Sequence, residues 1–195
     1  MSALVLGDDG VTRCGWGGEP EIYRRYHDEE WGRPLHGDDA IFERLTLEAF
    51  QSGLSWLTIL RKREEFRSAF AGFSIERVAN FGPPDLERLL NDAGIVRNRA
   101  KIVATITNAR AAAALLVTRG PGALDRLVWA HRPADEPIPG DDIPALTPES
   151  TALAKALRRE GFVFVGPTTA YAAMQALGVV NDHLAGCASR AAQPA

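Results

Sequence analysis

Apolar residues recur three and four places apart through most of this chain, the spacing of helices that bury one face. From Asp38 the run DDAIFERLTLEAFQSG puts Ile41, Phe42, Leu45 and Ala49 on one arc, and Gly53 supplies a stop. The spacing predicts a second helix from Ser55 to Phe70 and a short helical stretch, IERVANF, after Ser74. Pro83-Pro84-Asp85 opens another helix, which carries Leu86, Leu89, Leu90 and Ala93 inward and closes at Gly94. A long one follows from about Asn98 to Val117, with Ile102, Ile106, Ala109, Ala113 and Leu116 on one face. Thr147 with Pro148 reads as the cap and first turn of a helix reaching Glu160, and Pro167 opens one that ends at Gly178. Phe162 to Val165 alternates weakly, as an extended segment does. Pro133, Pro137, Pro139 and Pro144 mark a loop without regular structure. With no repeat, no low-complexity segment and no alternation of strands with helices, the fold class is read as all-α.

Length and composition narrow this to one compact unit. At 195 residues, 46% hydrophobic and 24% charged, the chain can bury a core without a covalent staple. The reading is a single domain over residues 12–190, preceded by an N-terminal extension (1–11) and followed by a short tail (191–195). Two cysteines, Cys14 and Cys187, are too few for a secreted disulfide scaffold, so a reducing, cytoplasmic setting is expected. Neither a basic leader nor an apolar run longer than about seven residues is present, so no export signal or membrane span is expected. The net charge of -3 is unevenly spread: residues 61–110 hold ten Lys or Arg against six Asp or Glu. A basic face within an acidic protein follows, although the arginine-rich composition has an equally plain genomic origin.

Three constellations carry chemistry. Cys14 and His27 near the start, with His183 and Cys187 near the end, make the donor set of one tetrahedral zinc; His183 and Cys187 are four apart and share a helix face or tight turn. All four positions would be filled by protein, which makes such a site structural. The same residues can also be read as two buried cysteines and two ordinary histidines. The second constellation is a helix, the tight link Gly94-Ile95-Val96 and another helix, with Arg97, Arg99 and Lys101 following at once, an arrangement that can face a phosphate. Its plain alternative is a solvated basic face. The third is Glu48, a carboxylate on the arc of Ile41, Leu45 and Ser52, with Gly53, Leu54 and Trp56 after it and Tyr23 and Tyr26 upstream. Rings and one acid suit a flat cation; alternatively the rings are core and Glu48 pairs with an arginine.

Together these pieces resemble the 3-methyladenine DNA glycosylase I family of the helix-hairpin-helix base-excision superfamily. The strings that carry the likeness are RCGW at Arg13, YHDEEWG at Tyr26, LEAFQSGLSW at Leu47, DAGIVRNRAKI at Asp92, GFVFVGPTTAY at Gly161 and MQALGVVNDHLAGC at Met174, spread over Thr12 to Ala188. The resemblance implies a helix-hairpin-helix glycosylase fold with a zinc snap of Cys14, His27, His183 and Cys187. It also implies Glu48 as the essential pocket acid, and Tyr23, Tyr26 and Trp56 as walls around a flipped base. Gly53 and Leu54 would approach the gap in the duplex, and Gly94, Arg97 and Arg99 would bind the DNA backbone. The implied partner is double-stranded DNA containing alkylated adenine, and the implied activity hydrolyses the bond to 3-methyladenine and leaves an abasic site. A non-catalytic zinc-stabilised DNA-binding module, or a glycosylase for another alkylated base, would share most of these features. Ala172-Ala173 departs from the family, which often has a larger residue there, so one pocket wall is in question.

Overall fold

Helix α2 (Asp38–Gln51) is the axis around which the other helices are laid. The computed structural model describes residues 4–135 and 143–191. Ile41, Phe42, Leu45, Leu47 and Phe50 on α2 are all buried, so the helix is covered on every side and not along one arc only. Against it pack α3 (Trp56–Arg61), α5 (Ile75–Ala79), α7 (Arg99–Arg119), α8 (Ala123–Trp129) and α10 (Pro167–Ala176). The remaining helices are α1 (Glu21–Glu29), α4 (Arg63–Ala69), α6 (Pro83–Asn91), α9 (Pro148–Arg159) and the short α11 (Ala188–Ala191). Phe50, Phe66, Phe70 and Phe73 form a chain of ring contacts from α2 through α4 to the turn that follows it, with centroids 4.7–6.2 Å apart.

The mostly helical expectation holds, with one addition. Leu4–Leu6 (β1) and Thr12–Cys14 (β2) pair antiparallel, so residues set apart as an extension fold back along the strand that ends in Cys14. Helices α1 and α8 were not expected from the spacing. The single helix expected over 55–70 is two, because Lys62 leaves helical geometry while its ammonium donates to the carbonyls of Ala93 and Gly94, each at 3.0 Å. Phe162 to Val165 forms no strand. Phe164 lies in the left-handed region (φ 62), in a turn pinned by Asn108, whose side-chain amide accepts from the Val163 N–H (2.8 Å) and donates to its carbonyl (3.0 Å). Pro137 and Pro139 of the proline loop, and the tail beyond Ala191, lie outside the described residues.

Capping residues mark the helix starts that the sequence signalled. Ser55, Asn98 and Thr147 each accept from the backbone N–H three residues on, satisfying a donor that the first turn leaves open. Helix α7 is long and apolar enough to span a bilayer on dimensions alone, but Ile102, Ile106 and Ala109 are buried against neighbouring helices.

Candidate active site and metal centre

Glu48 is brought to the wall of a cavity of about 350 Å³, lined by Trp16, Tyr23, Tyr26, Trp31, Gln51, Trp56, Ile143, Ala172 and Gln175 as well. That volume lies in the range of roughly 300–1,000 Å³ usual for small-molecule sites. Each ring is held by something definite. The Tyr23 hydroxyl accepts the Leu57 N–H at 2.8 Å, which ties α1 to the start of α3. Tyr26 meets Trp56 with centroids 5.3 Å apart, and Trp16 stands edge-on to Tyr23 and Trp31. The Trp56 Nε1–H is buried and finds no acceptor among the described residues.

Glu48 is only 6% exposed, and no described residue hydrogen-bonds or ion-pairs with its carboxylate. Arg44, one turn earlier on α2 and also buried, gives its ion pair to Glu30 at 2.6 Å; Arg63 completes a fork on the same carboxylate at 2.6 and 2.8 Å. Burial by itself would raise the Glu30 pKa, but hydrogen bonds from Arg63 and Arg44 outweigh it and hold the group at about 2. Glu48 receives no such help. Desolvation pushes its pKa up to about 8, with the charge of Arg44 pulling weakly the other way. Such an acid has a strong preference for a cation brought into the cavity, because ionisation there is otherwise costly.

The loop after α2 frames the mouth. Gly53 adopts φ +79, a backbone region natural to glycine, and Leu54 is 43% exposed between cavity residues Gln51 and Trp56. Lys101, read from the sequence as part of a basic face, turns the other way. It is buried, and its ammonium donates to the carbonyls of Phe50 (2.8 Å) and Ser52 (2.5 Å), satisfying the C-terminal end of α2. Arg97 and Arg99 remain exposed. The Gly94 amide is already used, donating to Asp92 Oδ1 at 2.8 Å. Ala172 does line the cavity, whereas Ala173 is in the core.

The four metal-ligand candidates converge from both ends of the chain. Their donor atoms lie within 4.8 Å of one another and all four residues are buried. His183 Nδ1 is 3.2 Å from His27 Nε2, Cys187 Sγ is 3.5 Å from each, and Cys14 Sγ is 3.8 Å from His183 Nδ1. A tetrahedral zinc with bonds of about 2.0–2.3 Å would separate its ligands by roughly 3.3–3.8 Å. The other ring nitrogens are engaged as metal-bound histidines require. His27 Nδ1 meets Asp28 at 2.8 Å, and His183 Nε2 meets the Trp31 carbonyl at 3.0 Å. Gly17 packs so tightly on the His27 ring that any side chain there would overlap it. The donor set, spacing and supporting shell therefore fit a single cation, and the four-residue cluster and the cavity share Trp31.

A family model described as methyladenine glycosylase matches residues 16–191. The chain belongs to the methyladenine glycosylase family. Among relatives, it is 45% identical over 181 residues to DNA-3-methyladenine glycosylase 1 of Escherichia coli, covering 91% of this chain and 96% of that protein. It is 41% identical over 181 residues to DNA-3-methyladenine glycosylase of Haemophilus influenzae, covering 91% and 97%. A variant of 3-methyladenine DNA glycosylase I, solved in complex with 3-methyladenine, superposes with a TM-score of 0.84 at 32% identity, covering 91% of this chain and 97% of that one.

Within that family frame, the structure assembles Glu48, Tyr23, Tyr26 and Trp56 in one cavity, with Gly53 and Leu54 beside it. Trp16 and Trp31 were absent from the sequence-derived pocket, though each stands next to a metal ligand or within the same short string. Gln51 and Gln175 were missed as well. Helical spacing from Glu48 reaches Gln51 but offers nothing for Gln175, which comes from a helix more than a hundred residues away.

Proposed function

We propose that this chain is a monofunctional base-excision enzyme that removes 3-methyladenine from alkylated double-stranded DNA. The observation that carries the reading is the buried, unpartnered carboxylate of Glu48 at the wall of an aromatic cavity. Methylation at N3 makes adenine cationic, so its faces suit the rings and its charge suits Glu48. The flipped base would stack against Tyr23, Tyr26 and Trp56, and its amino edge would donate to Glu48. Because the methylated base departs neutral, a strong general acid is unnecessary. The protein's task is to extrude the nucleotide, hold it, and support the positive charge that develops on the sugar as water attacks.

Base removal without strand cleavage agrees with the lysines. None of the three, Lys62, Lys101 and Lys155, lines the cavity, so no lysine amine is placed there for a Schiff base. Leu54, exposed at the mouth, would occupy the gap left in the duplex, and Arg97 and Arg99 would attract its backbone. Cys14, His27, His183 and Cys187 would hold one structural zinc, joining the first strand pair to the last turn and leaving no vacant position for substrate. Action on chromosomal DNA in the cytoplasm belongs to the same reading. The test is release of free base from methylated duplex by wild type and Glu48→Gln. Wild-type release with at least a hundredfold loss in the variant is expected; binding of duplex with no base released by wild type would mean a non-catalytic module instead.

A further inference from the structure

Gln175 lines the cavity from α10, one turn after Ala172. Its side-chain amide has one orientation available. Nε2 donates to Asp182 Oδ2 at 2.7 Å, and the same oxygen accepts the Tyr171 hydroxyl at 2.6 Å. An ionised carboxylate only accepts hydrogen bonds, so the nitrogen end of the amide must face Asp182; reversed, two acceptor oxygens would meet. Asp182 is itself buried, lies outside the cavity lining, and directly precedes His183 of the metal cluster, so its position is fixed from behind. With Nε2 committed to Asp182, Oε1 is the acceptor of this cavity-lining side chain that stays open, and no described residue donates to it.

We infer that Gln175 is a specificity-determining residue, its carbonyl locked as an acceptor that joins Glu48 in selecting methylated adenine over methylated guanine. This rests on the base-excision reading above and adds to it which edge of the base is read. Adenine carries an exocyclic amino group with two N–H donors where guanine carries a carbonyl oxygen. Two acceptors match the first. Set against the second, they leave three acceptors crowded in a partly dry cavity, and an unpaired buried polar group discriminates far more strongly than a missing contact between apolar groups. Stacking on Trp56 and the tyrosines cannot supply that distinction, since both methylated purines are flat and cationic.

Alternating adenine–thymine and guanine–cytosine duplexes treated with dimethyl sulfate supply 3-methyladenine and 3-methylguanine. Release of each is to be measured with wild type, Gln175→Leu and Asp182→Asn, alongside bound zinc and thermal midpoint. Gln175→Leu is expected to lose about tenfold in kcat/KM for 3-methyladenine and less than about twofold for 3-methylguanine. The side-chain amide that Asp182→Asn puts in place of the carboxylate can donate to Oε1, freeing the Gln175 amide to turn its NH2 inward, so this variant is expected to shift the ratio towards 3-methylguanine. Should it lose its metal, the Gln175→Leu ratio alone decides. Equal losses on both substrates, or an unchanged ratio, would overturn the inference while leaving the base-excision reading standing. No release of 3-methyladenine by wild type would overturn both.

Discussion

Arg44 and Glu48 stand one turn apart on α2, both buried, yet the Arg44 guanidinium is paired with Glu30, 2.6 Å away, and leaves Glu48 unpaired. The pocket acid therefore feels a cation without being neutralised by it. Were Arg44 to pair with Glu48, a cationic base would have to compete for the carboxylate. Glu30, gripped from the other side by Arg63, prevents that, and the Arg44 side chain also lies over the Tyr26 ring at 5.8 Å.

The raised pKa of Glu48 makes a prediction about stability. Its value is about 8 in the fold against 4.5 for an unperturbed glutamate. Between these values the folded state holds a proton that the unfolded chain has released, so Glu48's contribution to stability falls as pH rises through that window. Glu48→Gln is thus expected to melt higher than wild type at pH 8 while being inactive, and the gap should close near pH 4 (about the unperturbed value). Thermal midpoints of both proteins across this range check it; a variant that melts lower at pH 8 would contradict the desolvated acid.

Arg44→Met removes the cation that moderates Glu48. The Glu48 pKa should rise further, and the limb on which kcat/KM for 3-methyladenine climbs with pH should move upward by about one unit. Glu30 is half-buried and keeps Arg63, so the fold should survive with a loss of about 1.5–3 kcal/mol from the lost charged hydrogen bond. A pH–rate profile decides the matter, and an unmoved limb with reduced amplitude would make Arg44 a packing residue only.

Lys101 joins the start of α7 to the end of α2, the segment that presents Leu54. Lys101→Met deletes two hydrogen bonds from a charged donor to backbone carbonyls, and a loss of about 2–4 kcal/mol in stability is expected. With that loop freed, kcat/KM on duplex should fall about tenfold, of the order expected when a positioning element loosens. Binding of free 3-methyladenine, followed by tryptophan fluorescence, should stay within about twofold. Parallel losses in both assays would mean that Lys101 supports the whole cavity, and not the loop in particular.

Metal removal should separate folding from chemistry. Elemental analysis is expected to find one zinc per chain, and Cys187→Ser to bind none. Loss of the clip between residues 14 and 187 frees both ends of the chain, at a cost on the order of 3 kcal/mol or about 10 °C in thermal midpoint. A serine variant that melts with wild type would remove the structural role of the cluster.

The sequence by itself determined what depends on neighbours along the chain. Capping residues and apolar spacing placed α2, α6, α7, α9 and α10 to within a few residues, because a helix satisfies its own backbone and announces its buried side locally. Donor chemistry and family likeness singled out Cys14, His27, His183, Cys187 and Glu48. Tertiary structure alone decided which way a charged or polar side chain turns once several elements compete for it: Lys101 inward to α2, Arg44 to Glu30, Gln175 to Asp182. Such choices are set by the burial and hydrogen-bond needs of groups far apart in sequence, and no local spacing encodes them.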